Sequence, residues 1–346
     1  MGDSCDPVNR LFYLDLRGFD GGDVSTLGRV VKLVDNFDSQ YQYITNEGRI
    51  FWFKSNLDAP RCKVVKMQLP PVGNSMEEDV KALAQIPKVV VVPEEANGVL
   101  KGAVSVAGNK LILVYERDAF NQMELCDLAG ENRTPVVLPD IGSISGVHAD
   151  KKHDDIMFCL TNFNPPGTIF HGTVCSIIDK VNGGKGMPGP AEVKVEVFRK
   201  TDVEGIDPSE FETQQVRYMS KDGTEVPMFV VGRRGHKGPA PCLLYGYGGF
   251  NISITPTFSL SRLLFVKHFG GRFCVANIRG GGEYGEDWHE DGTMSKKQNV
   301  FDDFIAAAQY LVDTKVTTKA QLAINGGSNG GLVRERESEP VWRRTV

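Results

Sequence analysis

Short apolar or alternating runs recur through the first 200 residues of the chain. Gly, Asn, Asp and Pro separate the runs, and this combination is typical of β-strands joined by turns. The runs that carry the pattern are Arg10–Leu16, Arg49–Lys54, Val64–Met67, Lys110–Tyr115, Asp155–Leu160 and Val193–Val197. The pattern predicts that this half of the chain is all-β.

The theme of an apolar strand followed by a polar loop returns at intervals. Runs that start near residues 11, 50, 111 and 156 are separated by 39, 61 and 45 residues, and four-stranded propeller blades repeat at about 40–50 residues. We therefore predict about four blades of a partial β-propeller in residues 1–200, with a β-sandwich as the alternative. Val80–Pro87, inside the longest interval, is expected to be an excursion between strands, and the glycine-rich stretch Val181–Pro190 a flexible loop.

The pattern changes after Phe198, where strands begin to alternate with helical periodicity. Residues 201–215 are acidic and rich in turn formers, which indicates a linker. The elements predicted beyond it are a hairpin of Gln215–Met219 with Val226–Val231, strands at Pro241–Tyr245, Phe273–Ile278 and Gln321–Asn325, and a helix at Val300–Val312. The helix places Phe301, Phe304, Ile305, Ala308, Leu311 and Val312 on one apolar stripe. This order predicts an incomplete α/β-hydrolase domain over residues 201–333.

The last predicted strand leads directly into a glycine-rich turn that contains a serine. The run Gly326-Gly327-Ser328-Asn329-Gly330 fits the pattern G-x-S-x-G. In that pattern small residues let a strand and a helix approach while the serine hydroxyl projects into a cleft. Ser328 is thus a candidate nucleophile, and the backbone N–H of Asn329 is a candidate donor to a developing oxyanion. A structural Gly/Ser turn is the alternative, because the pattern alone is common.

Composition narrows the classes of partner and compartment. Apolar residues make up 41% of the chain, and the net charge of −5 gives no reason to expect nucleic acid or an acidic membrane as a partner. No apolar run approaches the roughly 20 residues that a membrane helix needs, and the first residues lack the features of a signal peptide. The seven cysteines are odd in number and free of C-x-x-C pairs, which favours reduced thiols and a cytoplasmic location. We predict neither a cofactor nor a metal site.

Three glycine-rich runs follow three of the predicted strands. They are Tyr245–Phe250, Ala276–Gly285 and Asn325–Gly331. In this order, the set resembles the prolyl oligopeptidase family, and the resemblance extends over almost the whole chain. It implies a serine endopeptidase, usually monomeric, that cleaves short peptides after proline and carries a seven-bladed propeller on an α/β-hydrolase domain. On this resemblance the chain holds roughly four of the seven blades and the first part of the hydrolase domain.

The resemblance also assigns roles to residues in two of these runs. Ser328 corresponds to the nucleophile, the Asn329 backbone N–H to one oxyanion donor, and the Tyr247 phenol to the other. A phenol suits that role because its pKa of about 10 lets it donate without titrating at neutral pH. Phe250 corresponds to an aromatic residue of the proline pocket, where its ring face suits a flat, apolar pyrrolidine. Core packing beside a turn is the alternative for Tyr247 and Phe250.

Charged residues in and after the second run are expected to have structural rather than catalytic roles. Arg279 and Glu283 flank three glycines, and we expect them to form an ion pair that shapes the turn rather than a nucleotide site. Asp302 and Asp303, near the start of the predicted helix, are expected to interact with its positive end.

The end of the chain departs from the family pattern. Seven of the eleven residues from Arg334 to Arg344 are charged, so residues 334–346 are expected to form a divergent tail in solvent. All six histidines precede Ser328, whereas hydrolases with this turn place the acid and the histidine after the serine. We therefore expect this chain to be inactive as a peptidase. The alternatives are a non-catalytic isoform that acts through its propeller as an interaction module, and an esterase-like α/β-hydrolase.

Overall fold

A computed structural model of the chain describes residues 8–14, 16, 21–22, 30–71, 86–164, 166–178 and 188–338. The predicted excursion at Val80–Pro87 and the predicted loop at Val181–Pro190 lie mostly outside these ranges, as do residues 339–346 of the predicted tail. The last three residues of that loop are described, and they belong to a strand rather than a loop.

The described residues up to Arg199 form strands that pair mainly with their neighbours in sequence. The strands are β1 (Leu11–Tyr13), β2 (Val31–Val34), β3 (Tyr41–Glu47), β4 (Ile50–Ser55), β5 (Lys63–Gln68), β6 (Val89–Val92), β7 (Val99–Val106), β8 (Lys110–Arg117), β9 (Phe120–Asp127), β10 (Thr134–Val136), β11 (Ser143–Ala149), β12 (Asp155–Thr161), β13 (Thr168–Ile178) and β14 (Pro188–Arg199). β1 and β2 form a two-stranded sheet, and β3–β6, β7–β10 and β11–β14 form three four-stranded antiparallel sheets. Each sheet is built from consecutive strands, as a propeller blade is.

Apolar side chains fill the space between consecutive sheets. Burial alternates along β12, so that Ile156, Phe158 and Leu160 are buried. These side chains belong to one cluster with Ile112 and Met123 of the preceding sheet. Burying a side chain of this size contributes about 1.5–3 kcal/mol relative to exposure. Contacts between sheets therefore stabilise this half of the chain more than any sheet could alone.

Beyond the linker the chain forms a mixed sheet flanked by helices. Its strands are β15 (Phe211–Met219), β16 (Glu225–Arg233), β17 (Cys242–Gly246), β18 (Arg272–Ala276) and β19 (Leu322–Asn325). The α-helices are α1 (Leu260–Phe269), α2 (Glu286–Glu290), α3 (Gln298–Asp313) and α4 (Asn329–Ser338), and 3₁₀ helices lie at Pro208–Glu210, Met294–Lys296 and Lys319–Gln321. The strand order is β15-β16-β18-β17-β19, with β17 parallel to both β18 and β19. Parallel neighbours end at the same edge of a sheet, and this brings the three glycine-rich runs together.

Helix α3 packs against this sheet through an apolar face. The helix extends slightly beyond the predicted Val300–Val312 at both ends. Phe301 and Phe304 are buried as predicted, but Ile305 is 38% exposed. Asp303, by contrast, is fully buried. An aspartate on the inner face of a helix needs a buried partner, which is described below.

The two halves of the chain contact each other through the loops that follow β17 and β18. Arg61 Nε donates to Tyr284 O at 3.1 Å, and the Tyr284 hydroxyl donates to Asp118 Oδ1 at 3.2 Å. Ser143 Oγ donates to Pro256 O at 2.6 Å. The second glycine-rich run therefore lies at the junction between the propeller-like sheets and the mixed sheet.

Three further features concern the described residues alone. Their six cysteines are free, and Cys242 Sγ and Cys274 Sγ lie 3.5 Å apart on β17 and β18 without a covalent bond. Within the same residues, no helix has the length and apolar character to cross a membrane. No group of three or more His, Cys, Asp or Glu side chains among them could hold a metal ion.

Candidate active site

The serine of the third glycine-rich run lies at a sharp bend between β19 and α4. Ser328 has a φ of 54°, in the left-handed region, and its side chain is exposed. A residue other than glycine in that region costs about 1–3 kcal/mol and is commonly found at functional sites. Two backbone hydrogen bonds of 2.9 Å close the turn, from Gly330 N to Gly327 O and from Gly331 N to Ser328 O. The bend thus displays the Ser328 hydroxyl, as the sequence predicted for an elbow.

Glycines let the three runs interlock beneath this bend. A Cβ at Gly330 would lie 2.6 Å from Gly246 O, and a Cβ at Gly280 would lie 2.5 Å from Gly248 O. Real Cβ atoms do not approach backbone oxygens so closely, so these positions admit no side chain. The elbow, the run after β17 and the run after β18 are therefore in backbone contact.

The Asn329 side chain joins the elbow to the run that contains Tyr247. Asn329 Nδ2 donates to Tyr247 O at 2.6 Å and to Gly248 O at 2.9 Å. A Cβ at Gly249 would lie 2.5 Å from the same nitrogen, so the two segments pack without space between them. Tyr247 is half-buried. The structure thus brings together the segments that carry Ser328, Asn329 and Tyr247.

Phe250 lies at the outer edge of the same run. Its φ is 54°, and 56% of its surface is exposed. Ile252, two residues later, is 49% exposed. An exposed ring in a left-handed conformation is not a core residue, so the alternative of core packing does not hold for Phe250. These two side chains form an apolar surface next to the interlocked loops.

Arg279 does not pair with Glu283, so the predicted ion pair is wrong. Its guanidinium instead forms a two-pronged pair with Asp303, with Nη2 to Oδ1 at 2.6 Å and Nε to Oδ2 at 3.0 Å. A second carboxylate, Asp222 Oδ2, lies 2.6 Å from Nη1. Asp303 Oδ1 also accepts from Ser220 Oγ at 2.6 Å. Asp303 is distant from Arg279 in the sequence, and the packing of α3 brings the two side chains together.

The same contacts correct the helix-dipole prediction. α3 begins at Gln298, so Asp302 and Asp303 lie in its second turn rather than at its positive end. Burial alone would lower the pKa of Arg279, but the hydrogen bonds that its guanidinium donates to both carboxylates raise it above the ordinary value. Hydrogen bonds from Arg279 lower the pKa of Asp222 to about 2. The network fixes the start of the second glycine-rich run against α3.

Glu283 is a buried carboxyl at the junction of the two halves. Its Oε1 accepts from Ile254 N at 2.9 Å and from Asn277 Nδ2 at 3.2 Å. Its Oε2 is buried and has no hydrogen-bond partner among the described residues. Burial, together with the charge of Glu116 on β8, raises the pKa of Glu283 to about 7. Glu116 is itself buried and lies 3.4 Å from Lys101 Nζ.

Two of the histidines make contacts with groups other than Ser328. His289 Nδ1 lies 2.8 Å from Gly280 O and 3.0 Å from Asn251 N. His171 Nε2 lies 2.9 Å from Asp155 Oδ1 in the propeller-like half. In the ranges that the structure describes, no histidine hydrogen-bonds to Ser328.

Two side chains at the site were not predicted from the sequence. The Asn329 side chain was not considered, since only its backbone N–H was predicted to take part. Lys297 Nζ donates to Gly248 O at 2.9 Å and to Asn329 Oδ1 at 3.2 Å. A lysine before a helix carries no local signal for such a role, because its partners come from two distant segments.

Comparison with known proteins bears on both halves of the chain. The family described as "Prolyl oligopeptidase, N-terminal beta-propeller domain" matches residues 1–176, and the "Prolyl oligopeptidase family" matches residues 256–334. The chain belongs to the prolyl oligopeptidase family. The predicted fold class is thereby confirmed, because the propeller domain of prolyl oligopeptidases is followed by part of their hydrolase domain.

Individual prolyl oligopeptidases match almost all of the chain. Prolyl oligopeptidase A of Galerina marginata is 37% identical over 327 residues, which cover 94% of this chain and 40% of the relative. Prolyl endopeptidase of Dictyostelium discoideum is 36% identical over 315 residues, 88% of this chain and 38% of the relative. A solved structure of prolyl oligopeptidase B from Galerina marginata, bound to a 35mer hydrolysis and macrocyclization substrate, has a TM-score of 0.80 and 34% identity. That match covers 95% of this chain and 42% of the solved one. This chain thus spans about 40% of the length of these relatives.

Proposed function

We propose that this chain carries the nucleophile and the oxyanion-binding groups of a serine peptidase that cleaves short peptides after proline. The observation that supports this most directly is the exposed Ser328 in its left-handed conformation, tied through Asn329 to the Tyr247 run. A Gly/Ser turn that only joined a strand to a helix would require neither a serine in the left-handed region nor the hydrogen bond from Asn329 to the Tyr247 run.

In the proposed reaction, Ser328 Oγ attacks the carbonyl carbon of a substrate proline. Its proton passes to a general base and then to the leaving amine, as the peptide C–N bond breaks and the acyl-serine forms. The Asn329 N–H and the Tyr247 O–H donate to the oxygen that becomes negatively charged. Water then releases the acid from the serine. The exposed ring of Phe250 provides an apolar face for the pyrrolidine.

Among the described residues no histidine hydrogen-bonds to Ser328, and we propose that none of them serves as the base of this reaction. A serine hydrolase without its base retains only about 10³–10⁴-fold catalysis over water from oxyanion donors and binding. We therefore propose slow turnover for this chain alone. The engagement of His289 with backbone atoms supports this. The second candidate function is a non-catalytic isoform that binds partners through its propeller.

The compartment and the oligomeric state are also proposed from membership of the family. We propose a monomeric cytoplasmic protein that acts on soluble peptides.

A fluorophosphonate probe tests the proposed nucleophile. The full chain and its Ser328→Ala variant are first shown to fold alike by circular dichroism, and the rate of covalent labelling is then measured by mass spectrometry. We expect slow labelling of one residue, Ser328, and none in the variant. Equal labelling of the two proteins, or a folded chain that never labels, would contradict a nucleophilic role.

Substrate profiling tests the class of reaction. Peptides with proline and with alanine before the scissile bond, and a simple ester, are offered to the same two proteins. We expect the slow turnover that depends on Ser328 to prefer proline. A preference for the ester would favour an esterase-like hydrolase, and binding of a partner without any turnover would favour the interaction module.

A further inference from the structure

Two side-chain hydrogen-bond donors meet beside the elbow and hold two loops in place through four hydrogen bonds. Asn329 Nδ2 donates to Tyr247 O and Gly248 O, and Lys297 Nζ donates to Gly248 O and Asn329 Oδ1. We call this set of Lys297, the Asn329 side chain and the two carbonyls the elbow clamp. We infer that Lys297 and the Asn329 side chain are positioning residues that hold the two oxyanion donors of the proposed function in register.

The clamp explains why position 329 holds asparagine. Any residue except proline could supply the backbone N–H that the proposed reaction uses. Only a carboxamide offers two N–H groups and an acceptor oxygen from the same short side chain. All of them are used here, because the nitrogen faces two carbonyls while the oxygen accepts from Lys297. The side chain therefore fixes the distance between the elbow and the Tyr247 run.

Lys297 completes the clamp from a third segment of the chain. It lies between the 3₁₀ helix Met294–Lys296 and α3, which follow the second glycine-rich run. Its partners are neutral oxygens, and no carboxylate among the described residues lies within ion-pair distance of Nζ. Burial lowers the pKa of Lys297. A cation with no carboxylate partner among the side chains that the structure describes, placed next to both donor segments, adds positive potential where the oxyanion would form.

Position and charge both matter for a pre-organised anion site. A shift of about 1 Å in a group that contacts the reacting atoms can cost about 10²-fold in rate. The Tyr247 phenol and the Asn329 N–H lie on different loops, so their separation depends on what joins the loops. The close packing of Gly249 against the Asn329 side chain limits their approach, and the hydrogen bonds of the clamp limit their separation.

Substitutions at Lys297 and Asn329 test the clamp by the rate at which the fluorophosphonate probe labels Ser328. We expect Lys297→Met and Asn329→Ala each to slow labelling by at least about tenfold, since both loosen a pre-organised donor pair. Lys297→Arg keeps the charge and the donors and should recover most of the rate. Lys296→Met is the matched control, because Lys296 Nζ forms a surface ion pair with Asp291 at 2.7 Å. It should label at the unsubstituted rate.

Amide hydrogen exchange provides a readout that needs no reactivity. In Lys297→Met, we expect faster exchange in peptides that contain residues 247–250 and 328–331, with an unchanged urea midpoint for the whole protein. If the unsubstituted chain never labels, the proposed nucleophile fails, and the exchange result alone then decides whether the clamp exists. Unchanged exchange in Lys297→Met would overturn the clamp. Faster exchange with undiminished labelling would overturn its positioning role.

Discussion

The buried carboxyl of Glu283 makes the stability of this protein fall as pH rises, and a single substitution can remove this dependence. Glu283→Gln keeps an acceptor oxygen for Ile254 N and Asn277 Nδ2 and replaces the unpartnered Oε2 with an amide. The neutral side chain also no longer repels the negative charge of Glu116. The substitution therefore removes a titrating group without removing the contacts that the native carboxyl makes.

The magnitude follows from the pKa of Glu283. The carboxyl has a pKa of about 7 in the folded protein against an ordinary value of 4.5. Between those two pH values the folded state binds more protons than the unfolded state, so the free energy of unfolding falls as pH rises. The loss is complete above pH 7 and amounts to about 3 kcal/mol, at about 1.4 kcal/mol per pH unit. Burial is the larger cause, so Glu116→Gln should recover only part of it.

Urea denaturation at pH 4, 6 and 8 measures this effect. We expect Glu283→Gln to match the unsubstituted chain at pH 4 and to exceed it by up to about 3 kcal/mol at pH 8. Glu204→Gln is the control, since Glu204 is exposed in the linker, and it should change nothing at any pH. A difference between Glu283→Gln and the unsubstituted chain that stays constant from pH 4 to pH 8 would refute the reasoning.

Two further outcomes test the groups around the elbow. Asp303→Asn removes the buried carboxylate that pairs with Arg279, and we expect urea denaturation to show a loss of about 3–5 kcal/mol; an unchanged midpoint would show that the pair adds no stability. Tyr247→Phe removes the phenol donor, and it should slow phosphonate labelling by about 10²–10³-fold with the same unfolding midpoint. Labelling at the original rate would exclude the phenol as an oxyanion donor.

Elements with strong local patterns could be predicted from the sequence. The hairpin of β15 and β16 follows from an alternating run and a continuous apolar run around a Lys-Asp-Gly turn, and both strands extend beyond the predicted bounds. The elbow follows from its glycines, and the left-handed φ of Ser328 agrees with that prediction. In each case the residues that determine the conformation lie within a few positions of one another.

Helix α1 could not be predicted because its apolar residues do not lie on one side. Leu260, Leu264 and Phe269 are exposed, while Leu263 and Val266 are buried. A helix that is apolar on several sides shows no clear period of 3.6 residues. Its one local signal is Gly270, which ends the helix with a φ of 61°.

Contacts between distant segments could not be predicted either. Glu283 was the obvious partner for Arg279 because it lies four residues away, yet Asp303 pairs with it from α3. The link between Lys297 and Asn329 depends on how α3 and the elbow pack, so no local pattern could indicate it. Side chains that act through such packing are those that sequence reasoning misses.

The interlocked glycines divide the positions of the site into two kinds. At Gly248, Gly280 and Gly330, a methyl group would come within 2.8 Å of a backbone oxygen of a neighbouring loop. Phe250 and Ile252 expose about half of their surface to solvent (56% and 49%), and they can be exchanged without moving those loops. A laboratory selection for new cleavage preferences should therefore recover substitutions at Phe250 and Ile252. It should recover hardly any at Gly248, Gly280 and Gly330.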